Sequence, residues 1–172
     1  MMSRAVQWML IMAAVGLCGV GAAPVCAEAG DSAALAAAMK DATATLQGGL
    51  KASEREGTPI SAKFEIEDRK LQLSVYTMKG DGFMEVVADP KTGAIARAEK
   101  ITDTEDLKAA TAQKAAMAKA NVPLLTATET AVKANTGFRA VSIYPQLRDG
   151  RAVAEVTLLQ GTNFKKVTEK LD

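Results

Sequence analysis

Chemistry in this chain would have to come from carboxylates. The sequence contains no histidine, and both cysteines, Cys18 and Cys26, precede Glu28. Acidic residues cluster twice. Glu65, Glu67 and Asp68 fall together at the end of a predicted strand, where they could hold Ca²⁺ or act as an acid/base pair. Lys63, Arg69 and Lys70 flank them, so a solvated, charge-balanced outer face is the plainer reading. Asp103, Glu105 and Asp106 resemble a cation site but open a helical stretch. There, carboxylates cap N–H groups and favour the positive end of the helix. Gly80-Asp81-Gly82 has the composition of a phosphate loop, but no helix follows it, so it reads as a hairpin turn. Lys165-Lys166 reads as an edge-strand charge pair. We assign no catalytic, cofactor-binding or metal-ligating residue and expect no cofactor.

That expectation depends on where the mature chain begins. Arg4, the apolar run 8–20 and Val25-Cys26-Ala27 have the order of an export signal, with small residues placed for cleavage after Ala27. Pro24 disfavours a cut after Ala23. The apolar run is shorter than the ~20 residues that span a bilayer, so no membrane insertion is expected after cleavage. A lipoprotein would need a small residue before its cysteine, whereas Leu17 precedes Cys18 and Val25 precedes Cys26. The expected location is the periplasm or the exterior. Removing 27 residues from 172 leaves a mature chain without His, Cys or Trp. Serine–histidine and cysteine nucleophile systems are then excluded, as are the usual zinc, copper and haem ligand sets. Loss of Arg4 leaves 20 basic residues facing 20 acidic ones, which offers no footprint for nucleic acid or anionic lipid.

The elements that would position these residues are readable from periodicity. Leu35, Met39, Leu46 and Leu50 mark one helical face over 32–55. Gly48-Gly49 inside it signals a kink, a break or a close approach to a sheet. Four strands follow, over 62–67, 71–76, 83–88 and 94–101, with turns at Asp68-Arg69, Gly80–Gly82 and Asp89–Gly93. Thr102 and Glu105 form a capping-box pattern for a helix reaching about residue 120. Pro123 breaks it, and a further helix covers 124–134, with Leu125, Thr128 and Val132 on one face. Three strands close the chain, over 139–147, 151–159 and 163–171, with Asp149-Gly150 as a hairpin turn.

The two halves look alike. Val75, Gly80 and Phe83 correspond to Val156, Gly161 and Phe164 at a constant offset of 81. Phe64 matches Ile143 at 79, which predicts a second hairpin turn longer by two residues. The second copy lacks the fourth strand. Either its sheet has three strands, or residues 94–101 serve both sheets.

The strand–Asp-x-x-Thr-Gly–strand arrangement of Asp89, Thr92 and Gly93, with its preceding helix and hairpin, resembles the PepSY family. The resemblance covers residues 57–99 well and 137–171 more weakly; Arg69 stands where a glycine is expected in the first turn. It implies an α+β fold of two helix-plus-antiparallel-sheet units, in the manner of cystatin-like or β-lactamase-inhibitor-like folds. The implied division is a signal peptide over 1–27, a first unit over 28–101 and a shorter second unit over 102–172. It also implies a non-enzymatic module that binds or restrains a protein or peptide of the cell envelope. The reading from another class is a periplasmic protein that binds a small molecule or cation. The sequence leaves the oligomeric state open.

One apolar stripe bears on the partner. If Leu71, Leu73 and Val75 face the helix, Tyr76 and Met78 point to the opposite face, with Phe83 beside them. Val153, Thr157, Leu159 and Phe164 take the matching face in the second copy. Tyr76, Met78, Phe83 and Phe164 are thus either a partner-binding face or core between the repeats.

Overall fold

In the computed structural model, which describes residues 26–172, seven strands form one antiparallel sheet. They are β1 (Thr58–Glu67), β2 (Lys70–Lys79), β3 (Gly82–Ala88), β4 (Ile95–Lys100), β5 (Arg139–Arg148), β6 (Arg151–Gln160) and β7 (Asn163–Lys170). Their order is β4-β3-β2-β1-β5-β6-β7. Four helices accompany them: α1 (Cys26–Ala38), α2 (Leu46–Ser53), α3 (Thr104–Met117) and α4 (Leu124–Ala134). The α+β class is the observed one. Apart from Cys26 and Ala27 in α1, the expected signal segment lies outside the described residues. Among the described residues, no helix is long and apolar enough to cross a membrane.

Alternation along each strand builds two cores. Leu46 and Leu50 of α2 and Leu124, Ala127 and Ala131 of α4 pack with Ala62, Phe64, Leu73, Val75, Ile143 and Val156. Residues of intervening positions, Tyr76 and Tyr144 among them, form a second cluster with Ala110 of α3. Since neighbours along a strand face opposite sides, α2 and α4 cover one face of the sheet and α3 crosses the other.

The register corrects the sequence alignment of the halves. Both hairpins have two-residue turns, Asp68-Arg69 and Asp149-Gly150, with all four residues at positive φ. Val75 pairs with Ala62 and Val156 with Ile143, so the offset is 81 throughout and no turn has grown. The register also shifts around Ile60 in β1 and Val141 in β5, again 81 residues apart. Matching Phe64 to Ile143 by side-chain size missed this. The halves join where Ala62 of β1 pairs with Ile143 of β5, its own counterpart. The join therefore has a local two-fold character, and the sheet is continuous. β4 pairs only with β3, so residues 94–101 do not serve both halves.

The single helix expected over 32–55 is interrupted. A 3₁₀ turn at Met39–Asp41 follows α1, and residues 42–45, with Ala42 and Thr45 extended, carry no regular structure before α2. The break precedes the glycine pair because Thr45 caps α2, accepting the Gly48 N–H at 3.0 Å. Gly49 serves as the close approach: a Cβ there would lie 2.4 Å from Leu73 Cδ2. Arg139 fixes the link before α2. Its guanidinium donates to the carbonyls of Met39, Ala42 and Ala44 at 3.2, 2.8 and 2.6 Å and lies 5.7 Å from the Phe64 ring centroid.

Two terminal signals resolve similarly. Asp103, not Thr102, caps α3, accepting from the N–H groups of Glu105 and Asp106 at 2.9 and 3.3 Å. Asp103 has the extended backbone of an N-cap, which moves the start of the helix one residue along. In the turn after β3, Asp89 Oδ1 accepts the Thr92 N–H at 2.7 Å, its hydroxyl at 2.9 Å and the Lys91 N–H at 3.0 Å. These bonds, the Thr92 N–H first, hold the Asp89 carboxyl below its ordinary range. Their stabilisation is present above the unfolded pKa and is lost as pH falls through the lowered folded value. Gly93 has φ 73°, and a Cβ there would make only an ordinary van der Waals contact, 3.8 Å from Ala44 Cβ. Gly93→Val should therefore destabilise by backbone strain alone, about 1 kcal/mol, read from urea midpoints. An unchanged midpoint would contradict the left-handed conformation.

Candidate functional site

The expected aromatic face is covered. Tyr76 on β2 and Phe83 on β3 are 1% and 7% exposed, packed with Ile60, Ile101, Ala110 and Tyr144. Met78, the register partner of Phe83, is half-buried beside them, together with Leu107 and Met117 of α3. Polar contacts fasten the helix. Ser61 Oγ donates to Gln113 Oε1 at 2.8 Å, Asp106 hydrogen-bonds the Tyr76 hydroxyl, and Lys114 Nζ lies 6.0 Å from the Phe83 ring centroid. Burial first, then the negative charges of Asp106 and Glu85, raises the Tyr76 hydroxyl far above the ordinary phenol range. Burial, with Glu65 and Glu155, also raises Tyr144. Both phenols are neutral at ordinary pH.

Phe164 is not part of this group. It is half-buried against the larger core. The structure thus brings Tyr76, Met78 and Phe83 together, separates Phe164 from them, and places α3 over the three. This differs from both arrangements the stripe suggested, since a connecting helix covers the residues instead of solvent or the other repeat.

The acidic clusters are engaged in protein contacts. Glu65 pairs with Lys63, which is 2% exposed, and accepts from Gln72 Nε2 at 3.3 Å. Glu67 accepts from the same amide at 2.6 Å and lies 3.6 Å from Arg97, which also approaches Glu85 at 3.9 Å and Glu99 at 3.8 Å. Asp68 sits in the exposed β1–β2 turn. Glu105 pairs with Lys108 at 2.8 Å. A shallow groove of about 270 Å³ runs between α2, α3 and α4, lined by Leu50, Glu54, Pro59, Met117, Leu124 and Leu125. It falls just below the usual size of small-molecule sites, about 300–1,000 Å³.

A further candidate surface is the outer edge of β7, one of the two edges of the sheet. Leu171 N–H donates to Ala152 O at 3.0 Å, which continues the β6–β7 ladder. Antiparallel alternation then turns the backbone groups of Asn163, Lys165, Val167 and Glu169 toward β6. Those of Phe164, Lys166, Thr168 and Lys170 point away from the sheet. The other half shows what such groups do when a strand is present. Phe83, the counterpart of Phe164, accepts the Ile101 N–H at 2.9 Å just past β4. Among the described residues, no strand lies beside β7. Its side chains carry three lysines and one glutamate. Lys165 donates to Asn135 Oδ1 at 2.6 Å, and Lys166 pairs with Glu155 at 3.1 Å. The Lys165-Lys166 pair therefore does sit on an edge strand, as its composition suggests.

Comparison of the chain with family models, curated proteins and solved structures finds no match.

Proposed function

We propose that this chain is an exported, non-enzymatic PepSY-type module that binds or restrains a protein or peptide partner in the cell envelope, and that the partner docks on β7. One observation carries the reading. Where β3 is flanked by β4, no strand among the described residues flanks its counterpart β7, which has four residues of outward-facing backbone. Open edges accept strands from other chains, with main-chain hydrogen bonds supplying affinity. A partner using Tyr76 and Phe83 would first have to displace α3; a strand added to β7 displaces nothing described. The two-unit reading, with units over 28–101 and 102–172, draws support from the matching turns and register shifts at one constant offset.

A photo-crosslinking phenylalanine analogue at Thr168, expressed in intact cells, tests the docking edge. The same analogue at exposed Lys40 is the control. The expected result is a discrete protein adduct from position 168 and none from position 40. No adduct from 168, or the same adducts from both, would overturn the reading. Export has its own check: the intact mass of the secreted or periplasmic protein should begin at Glu28, and a full-length membrane-bound species would contradict it.

A further inference from the structure

We infer that the β7 edge recognises an extended segment in which a small apolar residue is followed by two acidic residues and a large apolar one. This rests on reading β7 as the docking edge and deepens it with a register. The molecule supplies the template. On β3, Ala98 lies opposite Val86, Glu99 opposite Glu85 and Lys100 opposite Met84, and the Ile101 N–H bonds Phe83 O. The constant offset of 81 transposes these positions onto Val167, Lys166, Lys165 and Phe164. A strand running antiparallel to β7 would meet them in that order.

The side chains at those positions then specify the ligand. Val167 is half-buried and suits a small apolar residue, as Val86 suits Ala98. In the first half, Glu99 faces Glu85, and Arg97 stands between the two like charges. On β7 the counterpart of Glu85 is Lys166, which pairs with Glu155 on its β6 side, so an acidic residue opposite it on the outer side meets a lysine where the template meets a glutamate. Lys165 replaces Met84, so the residue that is Lys100 in the template becomes acidic in the ligand. Opposite charges across a strand pair stabilise it and like charges oppose it. Phe164 completes the pattern with an apolar contact, as Phe83 does for Ile101.

The same charges argue against a second copy of this chain as the occupant. β4 carries Arg97 and Lys100 against Glu99, and β7 carries three lysines against Glu169, so either edge of a second copy would bring two net-positive strands together. The occupant is therefore an acidic extended segment of another protein.

The test uses an end-blocked synthetic peptide with the sequence of residues 95–102 carrying Lys100→Glu. It is titrated into the isotope-labelled exported protein at low salt. Binding should perturb the amides of Phe164, Lys166, Thr168 and Lys170. A peptide with lysine at both acidic positions should bind at least tenfold more weakly. Lys165→Glu with Lys166→Glu should reverse that preference. Thr168→Pro removes one outward N–H without touching the β6 ladder and should abolish binding of either peptide. Melting curves confirm that each variant is folded, and the charge reversal alone decides if the proline variant is not. Equal binding of the two peptides at β7 would overturn the acidic register. Perturbation confined to other strands, or no binding by either peptide, would overturn the inference. If a Thr168 crosslink persists in that case, docking at β7 stands and only the recognised motif is wrong. If the crosslink is also absent, the docking reading falls with it.

Discussion

Replacing Tyr76 and Phe83 together with serine is expected to destabilise the protein by about 6 kcal/mol, from roughly 3 kcal/mol or more for each large buried aromatic side chain. Both rings are almost wholly buried beneath α3 and share contacts with Ile60, Ile101 and Tyr144. The Tyr76 change also removes a hydrogen bond from buried Asp106 beneath α3. Domains are typically stable by only 5–15 kcal/mol, so the double variant should sit at or near unfolding at room temperature. Urea denaturation followed by far-UV circular dichroism would show it. A midpoint within experimental error of the parent would mean that α3 does not cover this face. Phe164→Ser, at a half-buried position, should cost distinctly less.

The second large effect is at Gly57, before β1. Its φ of 148° with ψ of 180° lies in a region that essentially only glycine occupies. A Cβ there would stand 2.5 Å from the Met78 carbonyl oxygen and 2.9 Å from its carbon. That obstacle is backbone, and Thr58↔Met78 is the first register pair of the β1–β2 hairpin, so it cannot swing aside as a side chain would. Gly57→Val therefore combines strain of about 1–3 kcal/mol with overpacking of about 1–3 kcal/mol. We expect a loss of about 3 kcal/mol or more, against about 1 kcal/mol at Gly93, where only the conformation is at issue. Equal effects at the two glycines in matched urea melts would contradict the close approach at Met78.

The contrast between these sites shows what the amino-acid sequence could reveal. Strands with one apolar face and glycine- or aspartate-marked turns were legible, because period-2 alternation and positive-φ residues are local signals. The same holds for the helix at 124–134, set off by Pro123. The register shifts at Ile60 and Val141 were not legible. A bulge leaves the composition of a strand intact while changing which residues face each other, and matching Phe64 to Ile143 by bulk then misplaced the repeat. Arg139 gives no local sign of its task, since the carbonyls it holds lie 95 to 100 residues earlier.

The covering of the aromatic stripe was hidden for a different reason. The buried side of α3 consists of Asp106, Ala110, Gln113 and Ala116. Small and polar residues there leave no apolar stripe to mark a packing face, so nothing in the periodicity announced that this helix lies on Tyr76 and Phe83. The β7 edge was partly legible from the missing fourth strand and the Lys165-Lys166 pair. Which backbone groups point outward needed the observed ladder.

The most direct measurement is residue-resolved amide hydrogen exchange along β7, in the protein alone and with the acidic peptide bound. In the free protein, the amides of Phe164, Lys166, Thr168 and Lys170 should exchange much faster than those of Lys165, Val167 and Glu169, which bond to β6. Binding should slow the first group to the rate of the second. Outward amides already as protected as the inward ones in the free protein, or unchanged in the complex, would contradict strand addition at this edge.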